Sequence, residues 1–257
     1  MTTETGQPSG NPPEATSDLP PKASNWAAPV ARLEVGTLPT SALNLNVAGR
    51  RLAGPVQGFG RLWQKTYRVA LTDADVTPEA IIRTWKEHFG DFWPKGNRFY
   101  GPLTSLEPGE VAVLNLAMPG KMTLSTGVLV IYADDESFAF MTPEGHQFAA
   151  WITFSSYRDD PAPVIQVQAL MRASDPLYEL SMPIVGHRME DQFWVATLRA
   201  LAARFGDNDA KVELQRVCVD RRRQWRYARN IRQNAAIRTT LYRMSHPRAW
   251  FHRGGGA

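Results

Sequence analysis

The most constraining feature of this chain is the order of the sequence patterns between Lys65 and Gly206. One strand pattern is followed by one helix pattern, then by a run of short strand patterns, and finally by one long amphipathic helix pattern. The turns between successive strands are short, which favours a meander in which each strand pairs with the next. The sequence therefore predicts an α+β domain, with a curved antiparallel sheet wrapped around a long C-terminal helix.

The strands are indicated by alternating apolar and polar residues, and by the turn residues between the runs. In the first strand, for example, Tyr67, Val69 and Leu71 share one face. The predicted strands are Lys65–Leu71, Arg98–Ser105, Val111–Met118, Gly127–Ala133, Phe138–Thr142, Phe148–Tyr157 and Val164–Arg172.

Two helices are indicated by apolar residues three and four positions apart. The first begins with Thr77 as N-cap and Pro78 at the first helical position. The second is predicted to begin after Gly186 and to end near Phe205. Their apolar stripes are Ile82, Trp85, Phe89 and Phe92 in the first helix, and Trp194, Leu198, Leu201 and Phe205 in the second.

Three further segments flank this domain of residues 65–206. Residues 1–29 are rich in Pro, Ser, Thr and Gly, so we expect them to be disordered. Residues 30–64 are interpreted as a lead-in that packs on the domain, with a short edge strand indicated by alternation over Leu43–Ala48. Residues 207–257 form a basic strand and helix extension, with a strand predicted at Val212–Val219 and a helix at Arg221–Tyr242.

The composition favours a protein of the cytoplasm. Cys218 is the single cysteine, which excludes an intramolecular disulfide and is compatible with a reducing compartment. The first 22 residues contain no apolar stretch of the kind that signal peptides carry. No run approaches the roughly 18 consecutive apolar residues of a membrane span.

The net charge of +4 conceals a strong asymmetry. Residues 211–257 contain twelve Lys and Arg against two acidic residues, a net charge of +10, and the rest of the chain has a net charge of −6. Such a tail can dock on its own acidic domain, or it can contact an anionic membrane or an acidic protein. The candidate contact residues are Arg221, Arg222, Arg223 and Arg226. Nucleic acid is disfavoured as a partner, because no nucleic-acid-binding fold is recognisable.

Five short strings accompany the element order. They are Gly58–Trp63, Phe92–Pro94, Gly96–Tyr100, Thr142–His146 and Gly186–Trp194. With this order and these strings, residues 65–206 resemble the START/birch-pollen-allergen-like (SRPBCC) superfamily, and more locally they resemble actinobacterial members of it. The resemblance implies a helix-grip fold with a cavity between sheet and helix, and relatives that include lipid-transfer domains and polyketide cyclases. It transfers no catalytic residue to this chain.

The concave face of the sheet and the facing helices are the expected walls of the cavity. The residues expected to line it are Trp85, Phe89, Ile152, Phe154, Val167, Ala169, Met171, Trp194, Leu198 and Leu201. Because this wall is almost entirely apolar, we expect the partner to be a small hydrophobic or amphipathic ligand. The alternatives are that the same side chains fill the interior completely, that the cavity serves a cyclase- or hydrolase-like enzyme, or that the protein is an interaction module acting through its tail.

Three titratable residues could orient a ligand. His146 lies at the start of a strand, and His187 and Glu190 lie one helical turn apart. The plainer interpretations are a turn histidine for His146, and for Glu190 an acidic side chain that complements the positive end of a helix dipole. The sequence contains no HExxH or GxSxG motif, so it predicts no metal site, no cofactor and no catalytic residue.

Overall fold

The computed structural model describes residues 23–39, 42–72, 75–101 and 106–246. Within these residues, eight strands form one antiparallel sheet in the order β2-β3-β4-β5-β6-β7-β1-β8. The strands are β1 Leu62–Ala70, β2 Arg98–Tyr100, β3 Val111–Met118, β4 Met122–Ala133, β5 Ser137–Met141, β6 Phe148–Asp159, β7 Ala162–Ala173 and β8 Glu213–Asp220.

Strands β2 to β7 form the meander predicted from the short turns, and β1 pairs with β7 at the end of it. Tyr67 of β1 lies opposite Val167 of β7 on one side and opposite Leu214 of β8 on the other. The first strand is therefore an interior strand, and the C-terminal extension supplies the edge. The predicted strand Arg98–Ser105 is observed only over β2, since residues 102–105 lie outside the described part.

The α-helices are α1 Pro78–Glu87, α2 Pro176–Ser181, α3 His187–Arg204 and α4 Ala235–Ser245. A π-helical turn, Met182–Gly186, joins α2 to α3. Short 3₁₀ helices lie at Ala23–Asn25, Pro55–Gln57, Phe89–Phe92, Pro119–Lys121 and Trp225–Gln233. With the long helical segment packed on the curved sheet, the molecule has the helix-grip α+β fold, and the fold class predicted from the sequence is confirmed.

The helix α3 begins at His187, directly after Gly186 as predicted, but it continues from a helical segment that the sequence did not predict. Helical structure begins at Pro176, where the side chain of Asp175 accepts hydrogen bonds from the backbone N–H groups of Leu177 and Tyr178. An aspartate N-cap followed by proline is a standard helix start. The chain then passes Gly186 in right-handed helical conformation (φ −59°, ψ −50°), so this glycine does not begin a new helix.

Buried side chains lie on both faces of the sheet. The largest cluster lies on the concave face and includes Trp85, Phe138 and Leu198. A second cluster lies under α2 and includes Met171 and Tyr178. A third is formed by the lead-in together with β3, β4 and β5. The lead-in therefore belongs to the packed domain.

Two predictions for the N-terminal region need correction. The segment expected to be disordered lies largely outside the described residues, but Trp26 forms a bridge to Tyr132, and the two rings lie 4.7 Å apart. The expected edge strand at Leu43–Ala48 is a turn. The alternation of apolar and polar residues is misleading here because the polar residue Asn46 is buried. Its side-chain amide donates to the Ser125 carbonyl at 2.8 Å and to the Thr239 hydroxyl at 3.0 Å.

The helix predicted at Arg221–Tyr242 is interrupted. The chain is extended before Trp225, forms a 3₁₀ helix to Gln233, and restarts as α4 at Ala235. The break lies at Asn234, whose side chain caps α4 by accepting from the Ile237 N–H and donates to Asp175 at 2.8 Å. A capping residue that is also bonded to the domain outweighs the helical periodicity of the sequence.

The basic extension docks on the domain. The buried guanidinium of Arg172 donates to Asp220 at 2.6 Å and to the Arg222 carbonyl at 2.9 Å. Further along, the Ala235 N–H donates to the Gly145 carbonyl at 2.9 Å. Ala235 and Thr239 are both buried. Of the two alternatives left by the charge asymmetry, docking is the arrangement that the structure describes.

We expect replacement of Gly145 by alanine to loosen this docking. Gly145 has φ +89°, and a Cβ atom there would fall on the Gln233 carbonyl oxygen. Gly109 has a similar φ of +94° with open space around it, so G109A carries the backbone strain alone. We expect G145A to lower the free energy of unfolding by about 1–3 kcal/mol more than G109A, measured by urea denaturation. Equal losses in the two variants would contradict the close approach.

Candidate functional site

A cavity of about 280 Å³ lies between the concave face of the sheet and the helical segment from α2 to α3. Its walls come mainly from β3 and the residues around β2, from one position each of β4 and β5, from two positions of β6 and the turn before it, and from the α2–α3 segment. The apolar lining residues are Phe89, Trp93, Phe99, Leu114, Leu116, Ala117, Met118, Pro119, Val128, Phe140, Phe148, Ile152, Met182, Val185, Gly186, Met189, Phe193 and Trp194. The polar ones are Asn97, Thr142, His146, Gln147, Tyr178, Ser181 and Glu190.

The aromatic part of the wall is held by ring contacts. The centroid of Phe89 lies 5.0 Å from that of Phe99 and 5.6 Å from that of Trp93. Trp93 in turn lies 5.0 Å from Phe193 of α3, edge to face. Such geometries are favourable for ring pairs. The rings therefore support one another across the wall of the cavity.

The cavity meets solvent at one side. Among its lining residues, Pro119, in the connection between β3 and β4, and Ser181 and Val185, in the α2–α3 segment, are exposed. Leu180 and Ile184 of that same segment are 69% and 73% exposed. A ligand would therefore enter between the β3–β4 connection and the α2–α3 segment.

The structure separates the predicted wall residues into two groups. Phe89, Ile152 and Trp194 line the cavity. The remaining seven do not, which corrects the sequence-based expectation. Trp85, Phe154, Val167, Leu198 and Leu201 are fully buried or nearly so in the concave core, and Ala169 and Met171 pack in the cluster under α2.

The physical reason is where α1 and α3 cover the sheet. These two helices fill the concave side near β6, β7 and β1 with side chains such as Trp85 and Leu198. Open space remains toward β2, β3 and β4 instead. Alternation identifies the buried face of a strand, but it does not show how far a facing helix fills it.

Glu190 connects the cavity wall to a buried cluster of charges. Its carboxylate accepts from the Lys65 ammonium at 2.7 Å. The same ammonium donates to Asp191 at 2.8 Å, and Asp191 also accepts from the Tyr67 hydroxyl at 2.7 Å and from Arg216 at 2.5 Å. Lys65 is completely buried. The cluster thus ties β1, α3 and β8 together at the edge of the cavity.

The pKa values of the two carboxyl groups in this cluster are shifted in opposite directions. Burial raises the pKa of Glu190 to about 7, against the opposing effect of Lys65. Burial also acts to raise the pKa of Asp191, but hydrogen bonds from Lys65 and Tyr67 and the charges of Lys65 and Arg216 outweigh it, so the pKa of Asp191 is lowered. A carboxyl group with a pKa near neutrality on a cavity wall can accept or donate a proton at physiological pH.

The helix-dipole interpretation of Glu190 is wrong, because α3 continues from helical residues and Glu190 binds Lys65. His187 does not line the cavity. Its ring lies 4.9 Å from that of Trp63, and burial followed by the charge of Lys65 lowers its pKa to about 4. His187 is therefore neutral at pH 7 and is placed beside the charge cluster.

His146 lines the cavity and is buried. Its Nδ1 atom lies 3.0 Å from both the backbone nitrogen and the carbonyl oxygen of Phe148. Burial lowers the pKa of His146 to about 4. At neutral pH His146 is thus an uncharged hydrogen-bonding group.

Three members of the charge cluster were missed from the sequence: Lys65, Tyr67 in its polar role, and Arg216. One signal was present. Lys65 lies two, four and six positions before Tyr67, Val69 and Leu71. Residues at this spacing share one face of a strand, so the side chain of Lys65 is expected on the buried face of β1. A lysine there requires a buried anionic partner.

The four tail arginines identified from the sequence are exposed. Arg223 forms an ion pair with Glu179 at 3.0 Å, and Arg226 lies over the Tyr227 ring at 4.8 Å. Arg221 and Arg222 lie on the extended stretch after β8.

Across the described ranges, no group of three His, Cys, Asp or Glu side chains is arranged to hold a metal ion. In the same ranges, no helix is both long and apolar enough to cross a membrane.

The architecture is the helix-grip α+β fold that the sequence resemblance implied. No protein-family model and no curated protein matches the chain. Among solved structures, the di-domain ARO/CYC protein StfQ from the steffimycin biosynthetic pathway is similar, with a TM-score of 0.44 and 9% identity over 57% of this chain and 51% of that one. The match spans about half the length of StfQ.

Two full-length matches are also similar. Ara h 8.0201 has a TM-score of 0.43 and 13% identity, over 57% of this chain and 99% of that one. The ginseng major latex-like protein 151 from Panax ginseng has a TM-score of 0.38 and 10% identity, over 57% of this chain and 99% of that one. At these identities the likeness concerns the fold, and it assigns no ligand to this chain.

The raised pKa of Glu190 predicts a pH-dependent contribution to stability. Because the folded-state pKa lies above the ordinary value of 4.5, the contribution is complete below pH 4.5 and is lost as the pH rises through about 7. The free energy of unfolding of the wild type relative to E190Q should fall by up to roughly 3 kcal/mol across this window. Urea denaturation of both proteins from pH 4.5 to 8 measures it, and a difference that is flat or rises with pH would contradict the assignment.

Proposed function

We propose that this protein binds a small hydrophobic or amphipathic molecule in the cavity between the sheet and the α2–α3 segment. The observation that carries the proposal is a cavity of about 280 Å³ whose lining is mostly apolar and aromatic, with a few polar groups. Ligand sites in proteins have this composition. The volume lies just below the usual range of roughly 300–1,000 Å³, so the ligand is small.

The polar groups of the wall limit the chemistry of the ligand. His146 is neutral at pH 7, and Glu190 titrates near that pH. The one buried ammonium nearby, that of Lys65, is already bonded to two carboxylates. Among the described residues that line the cavity, an anionic ligand group would therefore find no free cation. A hydroxyl, carbonyl or amine at one end of an apolar body fits these neighbours best.

Filling the cavity should abolish binding. Leu116 lines the cavity from β3, and an indole at this position would occupy part of the open volume. We expect L116W to eliminate the fluorescence enhancement of Nile red, a neutral apolar probe, while the wild type shows saturable enhancement.

The matched control is V219W, which adds the same ring to a half-exposed position of β8 away from the cavity. It should retain the probe, and both variants should keep a cooperative thermal transition. Retention of the probe by L116W, or its loss in V219W, would contradict the placement of the site.

A second candidate function is favoured by Glu190 alone. A buried carboxyl group with a pKa of about 7 on the wall of an apolar cavity has the properties of a general acid or base. In this alternative, the cavity converts its ligand by a proton-transfer reaction of the cyclase or hydrolase type. The carboxyl would act on the ligand while Lys65 and Asp191 hold its position.

Native mass spectrometry of protein purified from its own cells separates the two candidates. A binding protein should retain a molecule of the same mass in the wild type and in E190Q. An enzyme should retain product in the wild type and unconverted substrate in E190Q, so the two masses should differ. The binding proposal predicts equal masses, and a reproducible mass difference would favour catalysis.

A further inference from the structure

A second pocket, of about 510 Å³, lies on the other side of the Thr142–His146 turn. It is formed where the docked tail meets the lead-in and the turn between β5 and β6. Unlike the apolar cavity, it is lined mainly by polar side chains. These include Arg51 from the lead-in, Glu144 from the turn, Ser174 after β7, and Tyr227, Arg229 and Arg232 from the 3₁₀ helix.

The charge of this second pocket is unbalanced. Its lining residues include three arginines, Arg51, Arg229 and Arg232, all of them exposed, against one acidic residue, Glu144. Within the part of the chain that the structure describes, these three arginines form no ion pair. Docking of the tail brings like charges together in one concave site, and a bound anion would relieve that repulsion.

The backbone around the pocket is firmly held. The Asn230 amide donates to the Gln57 carbonyl and to the Ser174 carbonyl, both at 3.0 Å. Gly145 approaches Gln233 so closely that no side chain fits between them. The arginines of the 3₁₀ helix are therefore presented from a fixed scaffold.

Ser174 is also among the residues that line the pocket, and its hydroxyl is buried. Ser174 is 2% exposed, and its Oγ atom has no hydrogen-bond partner among the described residues.

We propose that this second pocket binds the phosphate group of a small water-soluble molecule. The net charge of its lining residues, +2, matches the charge of about −1.5 to −2 that a phosphate monoester carries at pH 7. Guanidinium groups bind phosphate oxygens through paired hydrogen bonds, which favours phosphate as the recognised group. Because the pocket exists only while the tail is docked, occupancy also stabilises the docked extension.

The test uses the full chain and inorganic phosphate at constant ionic strength, with chloride as the reference anion. Isothermal titration calorimetry should show saturable phosphate binding, and phosphate should raise the melting temperature. The double variant R229Q/R232Q should bind phosphate at least tenfold more weakly. R51Q, which changes a different element, should also weaken binding and provides the test if the tail variant undocks.

The matched control is R221Q/R222Q, which removes the same charge from the same tail but outside the pocket. It should bind phosphate within twofold of the wild type. An equal loss in the control would show diffuse electrostatic attraction and would overturn the proposal.

A second arm distinguishes a soluble phosphate from a lipid headgroup. Vesicles of phosphatidylcholine with phosphatidic acid should not compete with inorganic phosphate for the wild type. Vesicle binding that R229Q/R232Q abolishes, without measurable binding of free phosphate, would overturn the proposal in favour of a membrane surface. Absence of binding to both would overturn it outright.

Discussion

The contact on which the rest of the structure depends is the buried ammonium of Lys65. It lies on β1 and binds Glu190 and Asp191 on α3, and Asp191 also binds Arg216 on β8. Burying a charge is costly unless it is paired, and the loss of one partner of a buried pair typically costs about 3–5 kcal/mol. The gripping helix, an interior strand and the edge strand from the tail are therefore fixed relative to one another by one set of charges.

The cluster also determines the chemistry available to a ligand. It satisfies Lys65 completely and leaves Glu190 on the cavity wall with a pKa near neutrality. The rest of the wall is a set of rings that support one another, including Phe89, Trp93 and Phe99. The cavity is thus apolar over most of its surface and has a titratable group at one edge. On the opposite side of the Thr142–His146 turn, the docked tail helps to form a second pocket. Its lining is polar and basic, whereas that of the cavity is mostly apolar.

The meander from β2 to β7 and the concave face could be predicted from the sequence because alternation and turn residues are local signals. The extent of the cavity could not, because it depends on how far α1 and α3 fill the sheet. Val167 satisfies the alternation rule and yet lies in the filled core. The start of the gripping helix was signalled by Asp175 and Pro176, but Gly186 was the more conspicuous break. Lys65 was in phase with the apolar face, and its partners, 125 and 126 residues away, could be found only in three dimensions.

The central claim is that the space between the sheet and the α2–α3 segment is a ligand site whose polar contact is Glu190. The most direct test is a crystal structure of the protein as purified from its own cells. The account predicts density for a small, largely apolar molecule against Phe99 and Leu114, with one polar atom within hydrogen-bonding distance of the Glu190 carboxyl group. A cavity closed by its own side chains or filled only by ordered water, or a molecule bound elsewhere with this space empty, would contradict it.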